Sequence, residues 1–112
     1  MISNKDFCAM LLSFAEVKEE PHFDKRSFRV KKKIVATLDE LNQTACVKLT
    51  ATEQSVYCLI DETIIKAVPN KWGLQGWTFI YLKKIKKNLL YDVIVSSYCS
   101  VAPRSLAQQY LK

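Results

Sequence analysis

An α+β fold, with helices packed on one face of an antiparallel sheet, is the class this sequence predicts. Two periodicities and one ordering carry that prediction. Apolar residues recur every three or four positions near both ends of the chain, as on one stripe of a helix, and alternate singly between residues 27 and 82, as on a half-buried strand. The strand-like segments follow one another with only short interruptions, which favours antiparallel pairing over long parallel crossovers. With 112 residues, 49% of them hydrophobic, and only two glycines and three prolines, the composition suits one packed core and excludes a disordered or fibrous segment. Residues 1–112 are therefore read as a single domain. A chain of this length buries roughly two-thirds of its unfolded surface, so neither a disulfide nor a structural metal is needed for it to stand.

Ser3 to Val17 is predicted as the first helix, because Phe7, Met10, Leu11 and Phe14 fall on one stripe and Ser3 with Asp6 resembles a capping box. Lys18-Glu19-Glu20-Pro21 ends it. From Ser27 to Lys31 the period changes to two, with Phe28 and Val30 alternating against Ser27, Arg29 and Lys31. Lys33 to Leu38 continues as a β-branched strand, Asp39-Glu40-Leu41-Asn42 is a turn, and Ala45 to Thr50 completes a three-stranded meander. Thr52 is expected to cap a two-turn helix reaching Leu59, with Val56 and Leu59 inward. Thr63 to Val68 and Trp77 to Leu82 read as strands on either side of a loop, Pro69 to Gly76, that holds both glycines. Lys86 to Val101 returns to helical spacing, with Leu89, Leu90, Val93, Ile94 and Tyr98 on one side. It stops before Pro103, which is expected at the first position of a short last helix that runs to Leu111 and buries Leu106 and Tyr110.

Seventeen Lys and Arg against eleven Asp and Glu give a formal charge of +6, and its distribution is uneven. Lys25, Arg26, Arg29, Lys31, Lys32 and Lys33 form one basic segment without an acid, and Lys83, Lys84, Lys86 and Lys87 form another. These two segments carry +10, so the other seven bases and the eleven acids leave the remainder at −4. Concentrated positive charge points to nucleic acid, anionic lipid or an acidic partner; its bland counterpart is a set of lysine-rich turns that keep a small protein dissolved. Lys86 and Lys87 stand in the first turn of a predicted helix, where the macrodipole disfavours cations by a few tenths of a kcal/mol and a bound phosphate would reverse the sign.

The residues for catalysis are scarce. The single histidine, His22, excludes a multi-imidazole metal site and is read as structural or solvated. Cys8, Cys46, Cys58 and Cys99 make no C-x-x-C pair and are expected to be reduced, mostly buried thiols. Ser96 and Ser97 lack a nucleophile elbow, and the adjacent carboxylates of Asp61 and Glu62 do not point together. No enzyme is expected. Trp77, Phe79 and Tyr81 share one face of their strand; a strand of this kind beneath a helix is ordinarily core, with a base-stacking platform as the alternative. Trp72, beside Lys71 in the loop, is the aromatic expected to be exposed, or else a lid over the core edge. Met1 to Asp6 lacks the features of a signal peptide and no apolar run reaches bilayer length, so a cytoplasmic protein without membrane contact is expected.

Three blocks then stand out together: His22-Phe23-Asp24-Lys25-Arg26-Ser27-Phe28 with Lys33-Ile34-Val35-Ala36-Thr37-Leu38; Val68-Pro69-Asn70-Lys71 through Gly76-Trp77-Thr78; and Ser97-Tyr98-Cys99-Ser100-Val101-Ala102 before a short last helix. In order and spacing, across about residues 3 to 110, they resemble the MmcQ/YjbR family, which shares a fold superfamily with the bacterial frataxin CyaY. The resemblance implies one N-terminal helix, an antiparallel sheet of about five strands and two C-terminal helices. It also implies the DNA-binding role, through a double wing of hairpins, that has been proposed for the family. Where family members often carry Gly at the tip joining the first two strands, this chain has Lys31-Lys32. The frataxin side implies iron handling by acids on the first helix, but Asp6 and Glu16, with Glu19 and Glu20 after it, supply too few converging oxygens for a hard cation. Neither a metal nor a cofactor is expected. The reading is thus a monomeric, non-enzymatic protein that contacts DNA through phosphates. Its contacts would be Lys25, Arg26, Arg29, Lys31, Lys32, Lys33, Lys71, Lys83, Lys84, Lys86 and Lys87, with Trp72 as a stacking residue. The alternative is a module that binds an acidic protein or a small anionic ligand.

Overall fold

The structure is a computed structural model and describes residues 1–111. Six strands, β1 (Lys18–His22), β2 (Lys25–Val30), β3 (Lys33–Asp39), β4 (Thr44–Lys48), β5 (Ile65–Ala67) and β6 (Trp77–Tyr81), form one sheet in the order β1-β2-β3-β4-β6-β5. Every neighbouring pair is antiparallel. The helices are α1 (Asn4–Leu12), α2 (Ala51–Ile60), α3 (Lys71–Leu74), α4 (Lys87–Val101) and α5 (Arg104–Ala107), followed by a 3-10 turn, Gln108–Tyr110. The α+β class and its helix–sheet–helix order are those the alternation predicts.

Side-chain alternation decides which sheet face is covered. Phe28, Val30, Leu38, Ala45, Val47, Thr78 and Ile80 point to one side and are buried there under Phe7 and Leu11 of α1 and Leu90, Val93, Ile94 and Tyr98 of α4. Phe7 meets Phe28 edge-on at 5.8 Å. Phe14, Tyr98 and Tyr110 stack in a cluster with centroids 4.8 to 5.1 Å apart. A bulge at Phe28/Arg29 leaves Val35 out of the β2–β3 register, and the buried Ser97 hydroxyl donates to its carbonyl at 3.0 Å, tying α4 to the sheet.

Several expectations need correction. The sheet has six strands because Lys18–His22 pairs with β2; this edge strand buries no side chain fully, so it offers no alternation, and Pro21 is tolerated there. Helix α1 ends at Leu12, five residues before Val17, and Phe14 reaches the core from the turn that follows. Helix α2 is capped by Thr50, not Thr52: Thr50 Oγ1 accepts the Glu53 N–H at 3.2 Å while Glu53 Oε1 accepts the Thr50 N–H at 3.1 Å. Val56 and Leu59 face solvent, 55% and 83% exposed, because the opposite stripe wins: Gln54 Nε2 donates to Gly73 O and Thr78 Oγ1, each at 3.0 Å, and Tyr57 bonds Ser96. Strand β5 has three residues, and the expected loop holds the single turn α3. A Cβ at Gly73 would run into the Val68 carbonyl, and one at Gly76 (φ +103) into that of Leu49. Pro103 is the N-cap of α5 and not its first helical residue.

Trp77, Phe79 and Tyr81 are the largest correction. They lie with Ile34 and Cys46 on the sheet face that the long helices leave open, and all five are half-buried. The partner strand explains it: Val47 opposite Thr78 is core, so Lys48 opposite Trp77 and Cys46 opposite Phe79 face outward.

Candidate nucleic-acid interface

Strand alternation divides the first basic segment. Arg26 shares its row with Leu38 on the helix-covered side. Its Nε and Nη2 donate to the two carboxylate oxygens of Glu19 at 2.6 and 2.7 Å, and Nη1 donates to Glu40 at 3.2 Å. The hydrogen bond from Arg26 holds the Glu19 carboxyl below its ordinary range, and the same contact raises the already high pKa of the guanidinium. On the other side, Arg29 Nε donates to Ser27 Oγ at 3.0 Å, Nη2 donates to His22 Nδ1 at 3.3 Å, and Glu20 lies 3.7 Å away. His22 is therefore structural, accepting at Nδ1. Lys25 meets Asp24 at 3.3 Å and Lys31 meets Glu16 at 2.8 Å, both in exposed pairs that a polyanion can exchange at little cost.

Lys32 and Lys33 make no ion pair among the described residues, and neither do Lys71, Lys83, Lys84, Lys86 and Lys87. Lys31 and Lys32 are the two central residues of the β2–β3 turn, with φ of 50° and 69°. Two left-handed residues are what a tight right-twisted hairpin requires, and lysine accepts them with strain. At the other segment, Lys86 is the N-cap of α4 without a side-chain cap bond, and the first turn of α4 contains no acid. The turn lysines of the first segment do not adjoin the second, whereas Lys25 and Arg26 lie level with the Ile80–Tyr81 end, three strands away. Strand β6 runs from Trp77, opposite Lys48, to Tyr81, opposite Thr44. Lys31 to Lys33 and Lys83 to Lys87 thus leave from opposite ends of the central strands, roughly 15–20 Å apart at about 3.3 Å per residue.

Between those ends lies the open face. A trough of about 690 Å³ crosses it, floored by Ile34, Thr37, Cys46, Trp77 and Phe79 and walled by Phe23 of the β1–β2 turn and by Trp72 of α3. Lys48 Nζ lies 5.3 Å from the Trp77 ring centre and Lys71 Nζ lies 5.8 Å from that of Trp72. Register places Lys66 directly opposite Phe79. Lys83, Lys84 and Lys66 also line a hollow of about 400 Å³ with Tyr81. Phe23, Lys48 and Lys66 escaped the sequence reading because each is isolated in the chain; the alternation of Ala45 and Val47 against Lys48 was the one available signal.

Groups for other chemistry are unfavourably placed. No set of three His, Cys, Asp or Glu converges to hold a metal among the described residues. All four cysteines are free, and burial raises the thiol pKa values, that of Cys46 to about 11, so it stays protonated. Asp39 and Asp61 are held below their usual range by hydrogen bonds from Asn42 and Thr63, which makes them turn-forming residues. No helix among the described residues is long and apolar enough to cross a membrane.

Helices on one face, a six-stranded antiparallel sheet and lysines at both strand ends define a small basic α+β protein of the YjbR-like fold. The YjbR family model matches residues 12–100, and the chain belongs to that family. A Deinococcus radiodurans protein, DR2400, whose crystal structure carries the family-model domain DUF419, shares the fold with a TM-score of 0.79 at 16% identity, over 97% of this chain and 88% of that one. No curated protein matches the chain.

Proposed function

We propose that this chain is a non-enzymatic binding protein that holds DNA through its phosphates. The observation that carries the reading is the set of seven lysines without an ion pair among the described residues, Lys32, Lys33, Lys71, Lys83, Lys84, Lys86 and Lys87, all exposed and collected at two ends of one sheet. Folding has paired both arginines of the basic segments, and Lys25 and Lys31 in exposed pairs, and has left their other lysines available. Lys86 and Lys87 around the uncapped start of α4 cost local stability without an anion and gain from one, because ammonium groups and free N–H groups meet the same phosphate. Contacts of this kind position a backbone and read no sequence, so discrimination between DNA sequences is weak.

Fluorescence anisotropy with labelled DNA at low salt tests it. The double reversal Lys83→Glu/Lys84→Glu is expected to lower affinity on the order of tenfold or more while leaving the melting temperature nearly unchanged, since exposed charges contribute little to folding. Absence of binding to any DNA at low salt overturns the proposal.

A further inference from the structure

We propose that the open sheet face is a stacking platform for single-stranded nucleic acid. The inference rests on the phosphate-binding reading and adds to it what the bases do. Both tryptophans of the chain, Trp72 and Trp77, border one trough together with Phe79 and Phe23. Phe23 is 94% exposed and has a φ of 59° at the first central position of a two-residue hairpin loop, where glycine is favoured. A bulky aromatic is thus held out to solvent in a strained backbone conformation. Among the described residues His22 is its one aromatic contact, edge-on at 4.8 Å. Strain that gains so little packing within the chain points to a partner.

Charge selects the partner. Lys48 and Lys71 stand beside the Trp77 and Trp72 rings, and Lys66 pairs with Phe79 across the β5–β6 ladder, so both tryptophans have an ammonium group within reach and a third lysine shares the face of Phe79. Most acids nearby are engaged, Asp24 with Lys25, Glu20 with Arg29 and Asp39 with Asn42; Glu62, in the hollow with Lys66, Lys83 and Lys84, is one carboxylate against three lysines. Rings interleaved with cations match a chain of alternating bases and phosphates. A duplex hides its base faces in the stack, whereas an unpaired strand can lay them on the sheet.

Intrinsic tryptophan fluorescence of the unmodified chain tests the proposal, because both tryptophans report from the platform. Titration with short oligo-dT is expected to quench the emission, and dT is expected to bind about tenfold more tightly than a duplex of equal length, as one stacked base suffices to give. Phe23→Ser, at an exposed position, and Trp72→Ala are each expected to weaken dT binding about tenfold and leave duplex binding unchanged. Binding of dT without any change in emission, or equal affinity for duplex with both variants neutral, overturns the platform and leaves the phosphate reading intact. Failure of both nucleic acids to bind overturns the two together.

Discussion

Arg26 and Lys83 carry the same formal charge in different circumstances. Arg26 is gripped by Glu19 at 2.6 and 2.7 Å and touched by Glu40 at 3.2 Å, whereas Lys83 is exposed and makes no ion pair among the described residues. Arg26→Ala is accordingly expected to lower the melting temperature and leave DNA affinity within about twofold, the reverse of the Lys83→Glu/Lys84→Glu pattern, because an exposed but bidentate pair acts on folding and offers no free donor. Thermal melts and anisotropy on the same preparations check both halves. The Glu19 contact also sets a pH dependence. Its carboxyl is held below the ordinary value of 4.5, so the folded state takes up that proton later than the unfolded one. The stabilisation is present above that value and is lost as pH falls through the lower, folded one. Asp39 and Asp61 are depressed in the same direction. Melting temperature is therefore expected to hold between neutral pH and about 5.5, then fall below about 4.5, with Glu19→Gln showing a lower plateau and a shallower fall.

The β2–β3 turn shows an element formed against its local preference. Lys31 and Lys32 both occupy positive φ, where Asn-Gly is the favoured pair. Lys31→Asn with Lys32→Gly is expected to relieve about 1 kcal/mol of backbone strain and raise the melting temperature by roughly 3–6 °C in a differential scanning calorimetry trace, while reducing charge at that end. The turn was legible from the sequence because two short strands flanked it; its strain was not, since lysine carries no turn signal. Other elements divide in the same way. Helix α4 was legible almost to the residue because Leu90, Val93, Ile94 and Tyr98 make one stripe with no rival. Helix α2 has two eligible stripes. Val56 and Leu59 look like core, yet the polar atoms of Gln54 and Tyr57 find partners on Gly73, Thr78 and Ser96, and those partners are distant in sequence. Strand β1 has no buried face to give it a period.

At the scale of the whole molecule, the outcome turned on which way β6 faces. Trp77, Phe79 and Tyr81 alternate with Thr78 and Ile80, so both faces of that strand are apolar and the larger residues looked like core. The pairing of Val47 with Thr78 settles it in the other direction, and strand pairing is not written in either segment alone. The helix-free face then becomes an aromatic surface between two groups of lysines, where the sequence suggested a basic wing at Lys25 to Lys33 and a lysine-rich helix entrance at Lys83 to Lys87 over an aromatic core strand. This arrangement has a measurable consequence. If four to six phosphates are neutralised, log K against log salt falls with a slope of about −4 to −5 on duplex DNA and about −3 to −4 on a single strand, from roughly 0.9 and 0.7 counterions per phosphate. Because the lysine groups lie at opposite strand ends, reversal of Lys32 and Lys33 and reversal of Lys83 and Lys84 should each remove part of the slope, about one unit for every duplex phosphate no longer neutralised, and should combine additively. Anisotropy titrations of both double variants and the quadruple variant across a salt series provide the check. A slope abolished by either pair alone would place all the phosphate contacts at one end and overturn the two-ended geometry.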